Sequence, residues 1–186
     1  MTYAFLIFTA IVLVGCMGPG QVSELGLADP RQFPQVKGED LTGAPQWLPV
    51  AFHGKVNVVA VGFERSHQSM IEKWHATLQP ILGENPEAQF YEVPVIYEMN
   101  GVARFWLNNA MALYVSDRQA KKHTVIVYTN REQFAKHLDV SVQDPVLLIL
   151  DDNDHVVWKS SGTISQLEYI KVRDILKGLL KNETAV

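Results

Sequence analysis

A run of β-branched residues in the first third of the chain is the strongest constraint on its fold. Residues 56–63 have the sequence Val-Asn-Val-Val-Ala-Val-Gly-Phe, which is almost continuously apolar. Such a run is typical of a strand that is buried on both faces, as central strands of a sheet covered by helices are. With 186 residues, 47% of them hydrophobic, the chain has enough apolar material for one domain with a substantial core.

Strands and helices alternate along the rest of the chain. Apolar periodicity predicts strands at residues 89–97 and 123–129, a hairpin of 145–150 and 155–159, and helices at 70–82, 101–115, 131–138 and from 165 onward. Capping boxes are predicted at Ser69/Glu72 and Ser165/Glu168. We expect Pro80 to bend or end its helix and Pro94 to lie at a bulge or sheet edge. This order predicts an α/β layer domain.

The N-terminus has the pattern of a targeting segment. Residues 3–14 are apolar but too few for a comfortable transmembrane helix, and they end in Leu13-Val14-Gly15-Cys16. This ending resembles the lipobox of bacterial lipoprotein precursors, which implies cleavage before Cys16 and a lipid anchor on that cysteine. The resemblance predicts a membrane-anchored lipoprotein of the bacterial cell envelope, facing the periplasm or the exterior. The n-region lacks Lys and Arg, so an uncleaved anchor, or a cleaved signal in which Cys16 is incidental, remains an alternative.

The segment after Cys16 is rich in glycine and proline as far as residue 46. We interpret it as a tether followed by an arm that lies over the domain, anchored by Phe33, Leu41, Trp47 and Leu48. The predicted division is a lipoprotein-type signal peptide at residues 1–15, the tether and arm at 16–46, and the globular domain at 47–186.

Composition excludes several function classes. The net charge of −4 argues against a nucleic-acid surface. A single cysteine cannot form an internal disulfide, a dithiol redox pair or a cysteine-rich zinc site. The six histidines lack metal-ligand spacing, and residues 151–154 (Asp-Asp-Asn-Asp) are better explained as an acidic hairpin turn than as a calcium loop. We therefore predict no metal and no cofactor.

Three segments resemble the thioredoxin superfamily, and the resemblance spans roughly residues 33–181. They are the lead-in at 33–59, the Phe63 and 66–69 stretch where the family places its active-site turn, and the strand–turn–strand ending at 144–162. The resemblance implies a central mixed sheet flanked by helices in a single domain. It also implies a cis peptide before Pro145, and a groove with Arg65, Ser66 and His67 on one side and Asp144 on the other.

Within that superfamily, two blocks resemble the mitochondrial ATP-synthase assembly factors of the thioredoxin-like class. The blocks are residues 57–74 and the ending at 155–162. The lipobox-like start differs from an Arg-rich mitochondrial transit peptide, and a bacterial relative reconciles the two features.

The active-site turn of this chain carries hydroxyls where redox members of the superfamily carry thiols. Its sequence is Ser66-His67-Gln68-Ser69, and a helix terminus worth about 0.3–1 kcal/mol cannot make serine an equivalent of a thiolate. Thiol–disulfide exchange by this chain is therefore excluded. We interpret Ser66 and Ser69 as helix caps rather than as nucleophiles with His67 as base.

Three functions compete on these grounds. The first is a non-catalytic, lipid-anchored binding or assembly protein whose groove at Arg65, Ser66, His67, Ser69, Asp144 and Pro145 holds an extended polypeptide. The second is an enzyme of non-thiol chemistry that uses residues 65–67. The third is a small-molecule or anion binder that uses Arg65 at the helix N-terminus. The aromatic helix at 101–115 is either part of the core, which its bulky residues favour, or a partner surface.

Overall fold

The computed structural model describes residues 31–54 and 56–181. The predicted signal peptide, Cys16 and the first part of the tether lie outside the described residues. Within those two ranges, no helix combines the length and the hydrophobicity that crossing a bilayer requires.

A seven-stranded mixed sheet forms the centre of the domain. Its strands lie in the order β2-β1-β5-β4-β3-β6-β7. Their bounds are β1 Val36–Asp40, β2 Pro45–Leu48, β3 Val56–Gly62, β4 Ala88–Ile96, β5 Val125–Tyr128, β6 Val146–Leu150 and β7 Val156–Ser161. Strands β3, β4 and β5 are parallel to one another, and β1 and β6 pair antiparallel to β5 and β3. As its composition predicts, β3 is buried along its whole length.

Helices cover both faces of this sheet. Their bounds are α1 Gln68–Glu84, α2 Gly101–Tyr114, α3 Arg118–His123, α4 Arg131–His137 and α5 Gln166–Lys181. Helices α1 and α5 pack on one face through residues that include Trp74, Leu78 and Leu176. The N-terminal arm and α4 pack on the other face, where Phe33 and Phe134 contact each other edge to face. The predicted α/β class and the single domain are confirmed.

The arm contributes more to the sheet than its composition indicates. Strands β1 and β2 both come from the Gly/Pro-rich lead-in, and β1 lies between β2 and β5. Phe33, Leu41 and Leu48 are buried as anchors, whereas Trp47 is exposed. Just before β1, the Phe33 N–H donates to the Asp154 carbonyl at 3.0 Å and the Val156 N–H donates to the Arg31 carbonyl at 2.7 Å. The start of the arm is thus bonded to the acidic turn between β6 and β7.

Pro80 does not end its helix, and the expectation that Pro94 lies at a bulge or sheet edge was wrong. Helix α1 continues through Pro80 to Glu84, since Pro80 lies on the exposed side of the helix, where water can satisfy the carbonyl that loses its donor. Pro94 lies in central strand β4 rather than at an edge or bulge, opposite Gly62. Its position coincides with a break in the pairing of β4 with β5, which is recorded at Glu92 and Thr124 and resumes at Val95 and Val127.

Helix α2 is the largest departure from the expected core. Its bounds match the predicted helix, but none of its residues is buried. Phe105 and Trp106 are 64% and 70% exposed, and Leu113 and Tyr114 are exposed as well. The interpretation of these bulky residues as core was therefore wrong. Leu167 of α5 is likewise exposed.

Candidate binding site at the start of helix α1

The residues of the predicted groove meet at the carboxyl end of β3. Phe63 follows β3, a 3₁₀ turn spans Arg65–His67, and α1 begins at Gln68. Because Val61 of β3 pairs with Val146 of β6, the segment ahead of β6 lies beside this turn. The strand register therefore brings residues 66–69 and the loop before Pro145 together.

His67 joins these two segments directly. Its ring is buried, with 6% of the residue exposed. The Nδ1 atom accepts a hydrogen bond from the Phe63 backbone N–H at 3.2 Å, and Nε2 lies 3.1 Å from the Gln143 carbonyl oxygen. Since a carbonyl only accepts, Nε2 carries the proton and the ring is the neutral Nε2–H tautomer. Both ring nitrogens are therefore engaged in holding the turn against the loop.

The serines do not cap this helix. His67 occupies the N-cap position of α1 and Glu64 that of the 3₁₀ turn, and neither makes a side-chain cap bond. Ser66 Oγ donates instead to the Glu64 carboxylate at 3.4 Å, and Ser69 lies inside the first turn of α1. The prediction of two serine caps, and of a capping box at Ser69, was wrong because the 3₁₀ turn moves the helix start to Gln68.

Four of the other predicted groove residues are exposed and one is buried, and among the described residues no hydrogen bond or ion pair is recorded between them across the groove. Arg65, Ser66, Ser69 and Asp144 are exposed and Pro145 is buried. The peptide before Pro145 is trans, since among the described residues the cis bond is Leu48–Pro49. The expectation of a cis bond there was wrong, and trans is the isomer that X–Pro bonds favour by about 0.5–1 kcal/mol.

Arg131 organises a charged cluster that the sequence analysis missed. Its guanidinium lies 3.7 Å from the Glu64 carboxylate and 4.5 Å from the centre of the Tyr97 ring. Tyr97 OH donates a short hydrogen bond to Glu132, which raises the pKa of Tyr97 and lowers the pKa of Glu132. Arg131 Nε is buried and, within the described part of the chain, has no hydrogen-bond partner.

The positions of this cluster follow from the strand order. Glu64, Tyr97 and Arg131 each come just after one of the parallel strands β3, β4 and β5, whose carboxyl ends meet at one edge of the sheet. The sequence could have predicted this cluster, because each of the three strands was predicted and these residues follow the strand ends. The cluster lies next to the 3₁₀ turn through Glu64, which also accepts from Ser66.

A shallow depression of about 530 Å³ lies between α4 and the loop that leads to Gln143. Its lining is mixed, with apolar and charged side chains: Glu132, Ala135, Lys136, Asp139, Val140, Ser141 and Val142. Lys159 holds this loop in place, because its ammonium group donates to the Leu138 and Asp139 carbonyls at 2.9 and 2.8 Å. The depression is therefore open to solvent, and the loop held by Lys159 forms one of its sides.

Comparisons with known proteins find similarity in structure but none in sequence. No family model and no curated protein matches the chain. Yeast Sco1 superposes with a TM-score of 0.55 at 12% identity, covering 81% of this chain and 97% of that structure. A SCO1/SenC family lipoprotein from Bacillus anthracis gives 0.53 at 16% identity over 82% and 96%. BsSco, a member of the Sco family of cytochrome c oxidase assembly proteins, gives 0.52 at 10% over 80% and 93%.

The described residues provide no thiolate for a copper site. Yeast Sco1 has also been solved with copper bound, and that structure matches with a TM-score of 0.54. Thiolates are among the soft ligands that select Cu(I), and residues 31–54 and 56–181 contain no cysteine. No group of three or more His, Cys, Asp or Glu side chains in those ranges could hold a metal ion.

The similarity therefore concerns architecture. At 10–16% identity these matches cover at least 80% of the chain and nearly all of each neighbour, and they share its helix-covered sheet. The assignment of the site residues, by contrast, comes from this chain's own sequence and geometry and is not taken from these neighbours. We conclude that the described domain has the thioredoxin-like fold.

Proposed function

We propose that this chain is a cell-envelope lipoprotein, anchored through Cys16, whose redox-inactive thioredoxin-like domain binds a segment of a membrane or envelope protein and assists its assembly. The observation that carries the proposal is His67. At the turn where redox members of the superfamily hold thiols, this chain places a buried imidazole that ties the turn to the loop before Pro145. The imidazole therefore has a structural role at this site rather than a catalytic one.

The same geometry weakens the catalytic alternative. A serine nucleophile needs a base within hydrogen-bond reach of its Oγ. Both nitrogens of His67 are occupied by backbone groups, and Ser66 bonds to Glu64 instead. Neither serine therefore has an imidazole to activate it. The anion-binding alternative rests on Arg65 alone and gains no further contact.

The depression beside α4 suits an extended polypeptide. Val140 and Val142 offer apolar contacts, while Lys136, Asp139 and Glu132 supply charges of both signs. The lining comes from α4 and the loop after it rather than from a strand edge, so side-chain contacts rather than main-chain pairing would hold an extended ligand here. Binding here leaves the His67 bond to Gln143 intact.

Two resemblances support the location and the role. One structural neighbour is described as a lipoprotein of Bacillus anthracis, which agrees with the lipobox-like Leu13-Val14-Gly15-Cys16 of this chain. The resemblance of residues 57–74 and 155–162 to ATP-synthase assembly factors favours a role in assembly, and BsSco is likewise described as belonging to a family of assembly proteins.

Site-specific photo-crosslinking tests the proposal in membranes of cells that express the full chain. We expect p-benzoylphenylalanine in place of Ser141 to crosslink one or a few envelope proteins, and the same group in place of Lys177 to crosslink none of them. Both positions are exposed, so the second controls for random encounter. The Cys16→Ser variant should lose both the membrane fraction and the crosslinks.

Two results would contradict the proposal. One is an equal set of crosslinked proteins from both positions, since that pattern indicates no specific groove. The other is reduction of insulin disulfides by the purified chain, since the described domain has no thiol with which to do it.

A further inference from the structure

We propose that the outer face of α2, together with α3, docks on the surface of an anionic lipid bilayer. This inference goes beyond the proposed function, because it concerns the opposite face of the sheet from α4 and its depression. Its four supports are the polarity of α2, the charge of α3, the neighbouring edge strands and the place where the described chain begins.

Helix α2 exposes large apolar side chains although its sheet side is only half-buried. That sheet side is mixed: Leu107 and Met111 are half-buried, and Asn108 donates to Glu39 at 2.9 Å and accepts from the Tyr128 hydroxyl at 2.7 Å. The Arg104 guanidinium lies 4.6 Å from the centre of the Tyr128 ring. Helices of globular proteins normally turn polar residues to solvent and apolar ones inward. An outer face that is apolar therefore calls for an apolar partner.

That outer face is rich in aromatic groups, with the polar side chain of Asn109 exposed between Phe105 and Leu113. Helical spacing places its exposed apolar residues along one side: Val102, Phe105, Trp106, Leu113 and Tyr114. Phenylalanine, tryptophan and leucine on the apolar side are typical of helices that lie in the plane of a bilayer interface. Tryptophan and tyrosine are also enriched where membrane and water meet. The composition of the face thus fits a lipid surface.

Helix α3 supplies charge of the matching sign. Three residues separate it from α2, and it carries Arg118, Lys121 and Lys122, for which the described residues record no ion pair. Asp117 caps this helix by accepting from the Ala120 N–H at 2.7 Å, and Glu98 pairs with Arg104. Lysine and arginine next to an apolar helix favour anionic lipid headgroups.

Strands β1 and β2 extend the surface sideways. Lys37 and Glu39 lie on the same face of β1, because alternate residues of a strand share a face, and Glu39 contacts α2. Lys37 pairs with Trp47 of β2, and its ammonium group lies 5.5 Å from the centre of the exposed Trp47 ring. A second exposed tryptophan with a cation over it therefore stands on the face that α2 covers.

The start of the described chain lies at the same edge of the sheet as α3. Arg31 bonds next to the β6–β7 turn, which is level with the amino end of β3, while β5, which α3 directly precedes, begins level with Ala60 of β3. Four strand spacings of about 4.8 Å and an offset of about four residues along the strands put the two places roughly 25 Å apart. Residues 16–30 span at most about 50 Å. A chain held at Cys16 can therefore bring the α2 face to the bilayer.

Fluorescence quenching by brominated lipids tests the docking on the full chain, reconstituted in vesicles of equal parts phosphatidylcholine and phosphatidylglycerol. Depth quenching measured in a Trp47→Phe background reports Trp106, whatever holds the N-terminus. In that background we expect brominated acyl chains to quench part of the tryptophan emission, and Trp106→Phe to remove most of that quenched part. Trp74→Phe, at a buried position, is the matched control and should leave the quenched part in place.

Charge variants separate lipid from protein as the occupant. Each cation near an anionic surface contributes about fivefold in partition, so Arg118→Glu with Lys122→Glu should reduce docking by roughly 20-fold or more. The control Lys136→Glu, on α4, should have no effect. Failure of Trp106 to be quenched in these vesicles overturns the proposal, as does equal quenching in pure phosphatidylcholine. Unquenched Trp106 that crosslinks to a second copy or another protein also overturns it, whereas a missing client at Ser141 bears only on the proposed function.

Discussion

Replacing His67 by alanine removes the contact that holds the turn before α1 against the loop before Pro145. The substitution deletes two hydrogen bonds, from the Phe63 N–H to Nδ1 and from Nε2–H to the Gln143 carbonyl. It also leaves the Phe63 amide, in a buried setting, without an acceptor. A net hydrogen bond contributes about 0.5–1.5 kcal/mol and an unsatisfied buried donor costs about 1–3 kcal/mol. We therefore expect His67→Ala to lower the free energy of unfolding by about 3 kcal/mol.

Two conservative variants divide this loss between the two nitrogens. In His67→Asn the amide oxygen can replace Nδ1 as acceptor for Phe63, while in His67→Gln the longer amide can donate to Gln143 in place of Nε2. Each should recover about 1 kcal/mol of the loss. A double-variant experiment with Gln143 is uninformative, because the bond there is to its backbone carbonyl.

Urea unfolding at fixed pH measures these differences, and amide hydrogen exchange at Phe63 reports the first bond directly. For a domain of this size, about 3 kcal/mol corresponds to roughly 6–12 °C in Tm. His53→Ala, at an exposed histidine, is the control and should stay within about 0.5 kcal/mol of the wild type. An alanine variant as stable as that control, with unchanged exchange at Phe63, would refute the bridging role of His67.

Three further predictions concern stability. Asp40 is buried, and although burial alone raises its pKa, hydrogen bonds from Thr42, Gln46 and Ala44 outweigh it and lower the pKa. In denaturant titrations, the wild type should therefore have a higher free energy of unfolding than Asp40→Asn. This difference should have its full value above about pH 4 and decline as the pH falls through the lowered pKa. Burial raises the pKa of Glu92, with a further increase from Glu72 and an opposing hydrogen bond from Gln68. Glu92→Gln should therefore raise the Tm at pH 7. A gain in Tm that does not shrink toward pH 4 would argue against this cause. Ser165 and Glu168 form a reciprocal capping box, so calorimetry should show a loss of about 1 kcal/mol for Ser165→Ala and almost none for Ser69→Ala.

The sheet and most helix positions were predictable because they depend on local periodicity. The β-branched run at 56–62 and the hairpin at 146–161 appear where their sequences indicate. The capping box at Ser165 was confirmed and the one at Ser69 was not, because the 3₁₀ turn at Arg65–His67 shifts the start of α1. Such a turn leaves no periodic signal in three residues.

The role of His67 could not be predicted, because its acceptor lies 76 residues further along the chain. The same reason applies to α2. Its apolar side follows from the sequence, but which side faces the sheet is decided by Glu39 and Tyr128, which bond Asn108 from two other strands. The Arg131 cluster is the intermediate case, since strand order alone places Glu64, Tyr97 and Arg131 at one edge.

The bonds that join Arg31 and Phe33 to the β6–β7 turn also determine how the domain responds to mechanical force. Tension on the preceding chain is transmitted first to two backbone hydrogen bonds and to the buried Phe33 ring, before it reaches β1. Those bonds attach the arm to a hairpin whose inner strand, β6, is fully buried. Pulling therefore loads the hairpin that contains buried strand β6 before it loads β1.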